Sequence, residues 1–148
     1  MKALCFLALP HHNKILLPVM DELKRRGIDV IFCTAQAEAG FEITLQEANL
    51  KYIHALDYAQ SCASDVVIAC DTFRGSWLEK VLSIPGLAAI PLPIQDKVIQ
   101  AAIENVFCFD AMIKDIKPDI IFALHELNPW GKTLGYLSHC RRIPYMTF

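Results

Sequence analysis

Residues 119–124 read DIIFAL, and the polar run HELN follows them directly. A short apolar run that stops at polar residues is typical of a strand buried on both faces, as strands of parallel sheets are. Asn128 can accept hydrogen bonds from the free backbone N–H groups of a helix start, and Pro129 fits the first helical position. The sequence therefore predicts a strand over residues 119–124, a helix over residues 129–142 and another strand over residues 143–148.

The start of the chain repeats this pattern. Residues 3–9 form an apolar run closed by a proline, and apolar residues then recur at helical spacing until a glycine. We expect a first strand over residues 3–9 and a helix that ends near Arg26, although Pro18 removes one of its hydrogen bonds. Two further apolar segments predict the second and third strands, at residues 28–34 and 52–54.

The middle of the chain gives a weaker pattern, because apolar periodicity fades between residues 56 and 93. Residues 71–77 (DTFRGSW) are polar, aromatic and contain a glycine. That composition suits a loop that faces a substrate, and equally a plain surface turn. Helical spacing returns over residues 94–116 and ends at Lys117, because the residue before a proline avoids helical geometry.

Strands that alternate with helices imply right-handed crossovers and parallel pairing. The predicted fold is therefore α/β, a three-layer, doubly wound parallel sheet of Rossmann-like form. With 148 residues, the chain has the usual length of one domain, so a single domain over residues 1–148 is expected. The hydrophobic content of 54% is high for a globular chain, and a well-buried sheet accounts for it.

Composition and motifs exclude several functions. The net charge is −2 and no stretch concentrates Lys and Arg, so nucleic acid is not an expected partner. The sequence lacks the dinucleotide fingerprint G-x-G-x-x-G after the first strand and the phosphate loop G-x-x-x-x-G-K-[ST], so no bound cofactor is expected. No spacing of His and Cys matches a zinc site, and no metal is expected.

The expected location is the cytoplasm. Six cysteines are scattered without a C-x-x-C pair, and we interpret them as buried free thiols, which suit a reducing compartment. The longest uncharged run, residues 81–95, contains three prolines and is shorter than the roughly 20 residues that span a bilayer. No transmembrane segment is expected.

Two polar loops follow buried strands at the edge where ligands gather in open parallel sheets. They are residues 10–13 (PHHN) and 125–128 (HELN), and each leads into a helix whose N-terminus offers free N–H groups to an anion or a sugar. A histidine that titrates near neutrality can act as general base on a hydroxyl, and a nearby carboxylate can orient it. His12 and Glu126 are therefore the predicted catalytic residues.

The other polar side chains of these loops are predicted to bind substrate: His11, Asn13, His125 and Asn128. The alternative for all six residues is that they cap the helices or face solvent, as polar residues at such junctions often do. Trp130 opens the last helix, where it either stacks on a sugar or, as tryptophan more often does, belongs to the core.

Two segments resemble the GT-B family of glycosyltransferases. The first runs from the PHHN loop to IDVIF at residues 28–32, where the family has a helix that ends in an RG-x-[DE]-V-x-F turn. The second runs from KPDII at residues 117–121 to RIPY at residues 142–145, where the family has a KPD strand, a helix and an IP strand. Together they cover somewhat under half of the chain.

The resemblance implies an N-terminal domain that binds the acceptor, while a C-terminal domain absent from these 148 residues holds the nucleotide-sugar donor. The implied reaction transfers a hexose to a glycan or lipid-linked acceptor at the edge of the membrane, with peripheral membrane contact, and the isolated half is expected to be inactive. In inverting members a first-loop histidine often deprotonates the acceptor, which implies that role for His12. Retaining members need no such base, and His11 stands where many relatives have glycine, so the stereochemistry stays open.

Two alternatives remain. A nucleotide-sugar epimerase of the UDP-N-acetylglucosamine 2-epimerase type is built on the same two-domain plan, with a His-Gly-Asp-Thr run after its KPD strand. Here HELN keeps the histidine and an acid but loses the glycine and the spacing. The other alternative is a stand-alone binding module of flavodoxin-like form, which the length of the chain allows.

Overall fold

The computed structural model of the chain describes residues 1–8, 12–35, 45–46, 49–82, 91–124 and 128–147. Five strands lie within these residues: β1 (Lys2–Leu7), β2 (Asp29–Thr34), β3 (Tyr52–His54), β4 (Ile120–Ala123) and β5 (Tyr145–Thr147). The α-helices described are α1 (Asn13–Arg25), α2 (Ala59–Leu82), α3 (Leu92–Ile116) and α4 (Pro129–Arg141). A short 3₁₀ helix, Ala55–Tyr58, joins β3 to α2.

The strands form one parallel sheet in the order β3-β2-β1-β4-β5. The central strand β1 pairs with β2 on one side and β4 on the other, so that Leu4 lies between Ile31 and Ile121. This order is that of a doubly wound sheet, in which the chain runs outward from the centre in both directions. The predicted three-layer, Rossmann-like α/β fold is confirmed.

Both faces of the sheet are buried, as the continuous apolar runs predicted. Leu4 and Phe6 of β1 point to the face that α3 and α4 cover, and Phe6 stacks edge-on against Phe109 of α3 with ring centroids 5.7 Å apart. Cys5 and Leu7 of the same strand point to the opposite face, which α1 covers. Side chains alternate between faces along a strand, so every residue of β1 after Lys2 must be apolar.

The ends of α3 and α4 show why the KPD and RIP segments lead into strands. Lys117 and Arg142 each end a helix in the left-handed conformation, with φ of 52° and 55°, and a proline follows within two residues. Asp119 then fixes the amino end of the sheet, where its Oδ2 accepts a hydrogen bond of 2.6 Å from the backbone N–H of Lys2. The KPD carboxylate is therefore a structural tie at the edge opposite to the predicted site.

The weakly patterned middle of the chain is the long helix α2, and residues 71–77 lie inside it. The expectation of a loop or surface turn there is wrong. The described part of α2 buries only Cys62 and Val66, whereas Val67 and Ile68 are 61% and 65% exposed. Because its apolar side chains lie on more than one face, α2 lacks the single apolar stripe by which a helix is predicted from sequence.

The cysteines are all free thiols. Cys5, Cys33, Cys62 and Cys108 are buried, as predicted, but Cys70 is half-buried and Cys140 is exposed. The interpretation of all six as buried is therefore wrong for Cys140, which lies near the end of α4, on its outer surface. Among the helices described, none is both long and apolar enough to cross a membrane.

Candidate functional site

The strand order brings the carboxyl ends of β1 and β4 side by side. After β1 the chain passes through α1 to β2, and after β4 it passes through α4 to β5, on the other side of the sheet. The order therefore reverses between β1 and β4, whose carboxyl ends are hydrogen-bonded neighbours, with Phe6 paired to Ala123. Open α/β sheets bind their ligands at this reversal point, so the carboxyl ends of β1 and β4 form the candidate site.

His12 lies where the chain enters α1. Its backbone is already helical, with φ of −61° and ψ of −26°, and its side chain makes no capping hydrogen bond within α1. The residue is only 1% exposed. The imidazole is thus held inside the protein at the positive end of a helix, and neither helix capping nor solvent exposure accounts for the histidine here.

Asn128 lies at the equivalent entry to α4. Its backbone is extended, and its Oδ1 accepts a hydrogen bond of 2.7 Å from the backbone N–H of Gly131. Pro129 follows at the first helical position, so the predicted helix start is confirmed in detail. A role of Asn128 in binding substrate stays a prediction. Its amide oxygen already accepts the hydrogen bond that caps α4.

A polar pair that sequence reasoning missed lies along the same edge. Thr34 ends β2, His54 ends β3, and the two residues are paired in register. Thr34 Oγ1 lies 2.6 Å from His54 Nδ1, and the hydroxyl donates or accepts according to the tautomer of the ring. In the sequence, each of the two predicted strands ends in a polar residue. Only the register of β2 against β3 brings Thr34 and His54 together.

The other predicted site residues stay predictions. His11, His125 and Glu126 lie outside the described residues, and Asn13 is the first residue of α1 with its side chain outside the description. The catalytic pairing of His12 with Glu126 therefore stays a prediction. Trp130 is half-buried and packs against the core cluster of α3 and α4, which favours its interpretation as a core residue.

An apolar groove lies beside this edge, between α2 and α3. The two helices run antiparallel, since Cys62 faces Cys108 at one end and Arg74 pairs with Asp96 at 3.3 Å near the other. The groove has a volume of about 560 Å³ and is lined mainly by apolar side chains, among them Ile68, Phe73, Ile103, Val106 and Phe107. Its size falls within the range of small-molecule sites, about 300–1,000 Å³.

The length of α3 sets where this groove lies relative to the sheet. The helix ends level with the amino end of β1, because Lys2 Nζ donates a hydrogen bond of 2.7 Å to the carbonyl oxygen of Ile116. The 25 residues of α3 extend about 37 Å, whereas the six of β1 extend about 20 Å. The groove residues of α3 lie 9–13 positions before Ile116, about 14–20 Å along the helix, so the groove reaches the carboxyl end of the sheet and the N-terminal part of α3 projects past it.

Comparison with known proteins supports the fold. No family model matches the sequence, and no curated protein matches it. Among solved structures, UDP-GlcNAc 2-epimerase from Neisseria meningitidis bound to UDP-GlcNAc is similar, with a TM-score of 0.61 at 14% sequence identity. The match covers 100% of this chain and 32% of that chain. The chain thus has a Rossmann-like fold similar to part of that enzyme and spans about a third of its length.

Proposed function

We propose that the chain is the acceptor-side half of a nucleotide-sugar glycosyltransferase, which moves a hexose to a glycan or lipid-linked acceptor. The observation that supports this best is the reversal of strand order between β1 and β4. It puts the starts of α1 and α4, where His12 and Asn128 lie, at the same edge of the sheet. Two helix N-termini that converge on one edge favour an anionic or hydroxyl-rich ligand.

In the proposed reaction His12 is the general base. An acceptor hydroxyl loses its proton to the imidazole, the oxygen bonds to the anomeric carbon of the donor, and the bond from that carbon to the diphosphate breaks. The nucleoside diphosphate leaves with the electron pair. Glu126 orients the imidazole, and its carboxylate stabilises the imidazolium that forms. The burial of His12 keeps this proton transfer away from bulk water.

The groove between α2 and α3 supports an acceptor that carries a lipid. Its hydroxyls are engaged within α2, because Thr72 donates to the carbonyl oxygen of Ile68 and Ser76 to that of Phe73. The lining therefore offers few polar groups to a sugar, and it suits an aliphatic chain. Because the groove reaches the carboxyl end of the sheet, the lipid portion would lie there while the acceptor hydroxyl reaches His12.

A nucleotide-sugar 2-epimerase half is the second candidate. Its support is the likeness of the whole chain to part of UDP-GlcNAc 2-epimerase. The two reactions differ in product: transfer yields free nucleoside diphosphate and a glycosylated acceptor, whereas epimerisation inverts carbon 2 of the sugar. NMR of the products that the full-length enzyme forms from a nucleotide sugar, with and without an alkylated acceptor, separates the two candidates.

The first experiment is to sequence the encoding gene downstream of the codon for Phe148. A reading frame that continues for about another domain, roughly 150–250 residues, supports both two-domain candidates. A stop codon directly after Phe148 contradicts both and favours the stand-alone binding module.

The role of His12 is tested in the product of the complete reading frame. We expect His12→Gln to lower turnover by about 10²–10⁴-fold, the contribution typical of a general base, with circular dichroism and melting temperature retained. His139→Gln, at an exposed position late in α4, is the matched control and should turn over normally. Unchanged turnover in His12→Gln would remove the histidine from the catalytic role, and Glu126→Gln tests its partner in the same way.

A further inference from the structure

Two buried thiols face each other between α2 and α3. The Sγ atoms of Cys62 and Cys108 are 3.8 Å apart, and the residues are 5% and 0% exposed. They form a small apolar cluster with Val66, against which Ile103 and Phe107 pack. The two cysteines are 46 positions apart in sequence, so the contact joins two separate helices at the sheet end of the groove.

The other cysteines are placed differently. Cys5 and Cys33 lie in neighbouring strands but belong to the core clusters on opposite faces of the sheet, so their thiols point apart. Cys70 lies two turns further along α2 than Cys62, and Cys140 is exposed on α4. Within the part of the chain that the structure describes, Cys62 and Cys108 are the two cysteines whose sulfur atoms are in contact.

We propose that Cys62 and Cys108 form a dithiol site that closes to a disulfide by exchange with a low-molecular-weight disulfide such as oxidised glutathione. The sulfur atoms must approach from 3.8 Å to about 2.05 Å. Rotation about the Cα–Cβ bonds of the two cysteines can move their sulfur atoms by more than this difference. The site stands apart from the proposed transferase function and does not depend on it.

The exchange runs in two steps. The Cys62 thiolate attacks one sulfur of oxidised glutathione, the glutathione S–S bond breaks, and one glutathione thiolate leaves and takes up a proton. The Cys108 thiolate then attacks the Sγ of Cys62 and releases the second glutathione. Two protein thiols are oxidised, one glutathione disulfide is reduced to two thiols, and the two protein protons pass to the leaving groups.

The surroundings of each thiol explain why Cys62 attacks first and Cys108 second. Cys62 is the more exposed of the two, at 5% against 0%, and its Sγ donates to the carbonyl oxygen of Tyr58 at 3.1 Å. Burial, with the hydrogen bond to Cys62, raises the pKa of the Cys108 thiol to about 12. Cys108 is thus the slower nucleophile and enters second. Because the buried Cys62 must open to the reagent, closure is expected over minutes to hours.

The disulfide would cross-link α2 to α3 and close a loop of about 46 residues. Such a cross-link restricts the unfolded chain and stabilises the folded one. For a chain of this size we expect the melting temperature to rise by roughly 5–15 °C. The spacing of the two helices at the sheet end of the groove would also become fixed.

The test uses the 148-residue chain and a background variant with Cys70→Ser and Cys140→Ser, which removes the two more exposed thiols. Each is incubated with oxidised glutathione, alkylated, digested without reduction and mapped by mass spectrometry. We expect a peptide pair cross-linked through residues 62 and 108 in both proteins, and a higher melting temperature that dithiothreitol reverses. Adding Cys62→Ser or Cys108→Ser to the background should abolish both changes.

If a serine variant fails to fold, peptide mapping and melting of the oxidised wild-type chain still test the proposal. Recovery of residues 62 and 108 in separate peptides, whether alkylated or still carrying glutathione, would overturn the proposal. So would an oxidised, cross-linked chain that melts at the same temperature as the reduced chain, or at a lower one.

Discussion

Arg141 of α4 donates a hydrogen bond from Nε to Oδ1 of Asp110 of α3 at 2.7 Å. Lys114, one turn along α3 from Asp110, places its Nζ 2.8 Å from the other carboxylate oxygen. Both helices pack on the same face of the sheet, so the half-buried carboxylate links them. Partial burial raises the pKa of Asp110, but the hydrogen bonds and charges of Lys114 and Arg141 outweigh it and leave the pKa below the ordinary 3.8.

This arrangement predicts acid sensitivity. A carboxyl group whose pKa is lowered in the folded state stabilises the fold above its unfolded pKa, and that stabilisation is lost as the pH falls through the folded pKa. We expect Asp110→Asn to lower the free energy of unfolding at pH 7 by no more than about 1 kcal/mol, because the pair is partly exposed. The difference between Asp110→Asn and wild type should shrink below about pH 4.

Thermal unfolding between pH 3 and pH 7 checks the prediction, with Asp21→Asn as control because Asp21 is an exposed carboxylate on α1. A constant difference between Asp110→Asn and wild type across this range would show that the ion pairs of Asp110 do not contribute to stability.

The cap of α4 gives a second prediction. Because Asn128 Oδ1 accepts from the Gly131 N–H at 2.7 Å, Asn128→Ala leaves that donor unpaired and should destabilise the chain by about 1 kcal/mol, within a range of about 0.5–2. Asn128→Asp keeps an acceptor and should retain most of the stability. Urea unfolding measures both, with Lys132→Ala at an exposed position of α4 as control.

The same variants separate the two interpretations of Asn128. A loss of stability in Asn128→Ala, with ligand binding by the product of the complete reading frame unchanged, would leave the residue as a cap alone. Normal stability with weakened binding would instead support its predicted contact with substrate and contradict the stabilising role of the cap.

The stacked pair of Phe6 and Phe109 gives a third prediction. Both rings are almost fully buried, and they meet edge-on where α3 packs on β1. Phe109→Ala should destabilise the chain by about 3–5 kcal/mol, through lost burial and the cavity left behind. Phe109→Leu should cost clearly less, because it fills most of that space.

Val98→Ala is the control for Phe109, because Val98 lies on the same helix at 61% exposure and should change the free energy of unfolding by no more than about 0.5 kcal/mol. Equal losses at positions 98 and 109 in urea unfolding would contradict the assignment of Phe109 to the core.

The fold could be predicted from sequence because β1, β2 and β4 are buried on both faces and therefore appear as unbroken apolar runs. The start of α4 could be predicted because Asn-Pro combines a capping side chain with a residue that fits the first turn. These signals are local, and each depends only on residues within one turn or one strand.

The parts that sequence reasoning missed depend on contacts between distant segments. The Thr34–His54 pair exists only because β2 and β3 align in register, and two polar residues 20 positions apart give no sign of that. The burial of His12 likewise depends on what packs around the entry to α1. The helix α2 was missed because it packs chiefly on α3 and leaves apolar side chains exposed, so its pattern matched neither a surface helix nor a strand.

The central place of β1 has a consequence for how the chain is made. One edge of β1 is completed by β2 soon after synthesis begins, but the other waits for β4, which lies 117 residues after Lys2 at the Lys2–Asp119 tie. At a ribosomal rate of about 5–20 residues per second, that edge stays open for roughly 6–25 s. Throughout this interval the nascent chain presents the unpaired edge of a largely apolar strand, so its yield in cells should depend on chaperones that shield such edges until β4 emerges.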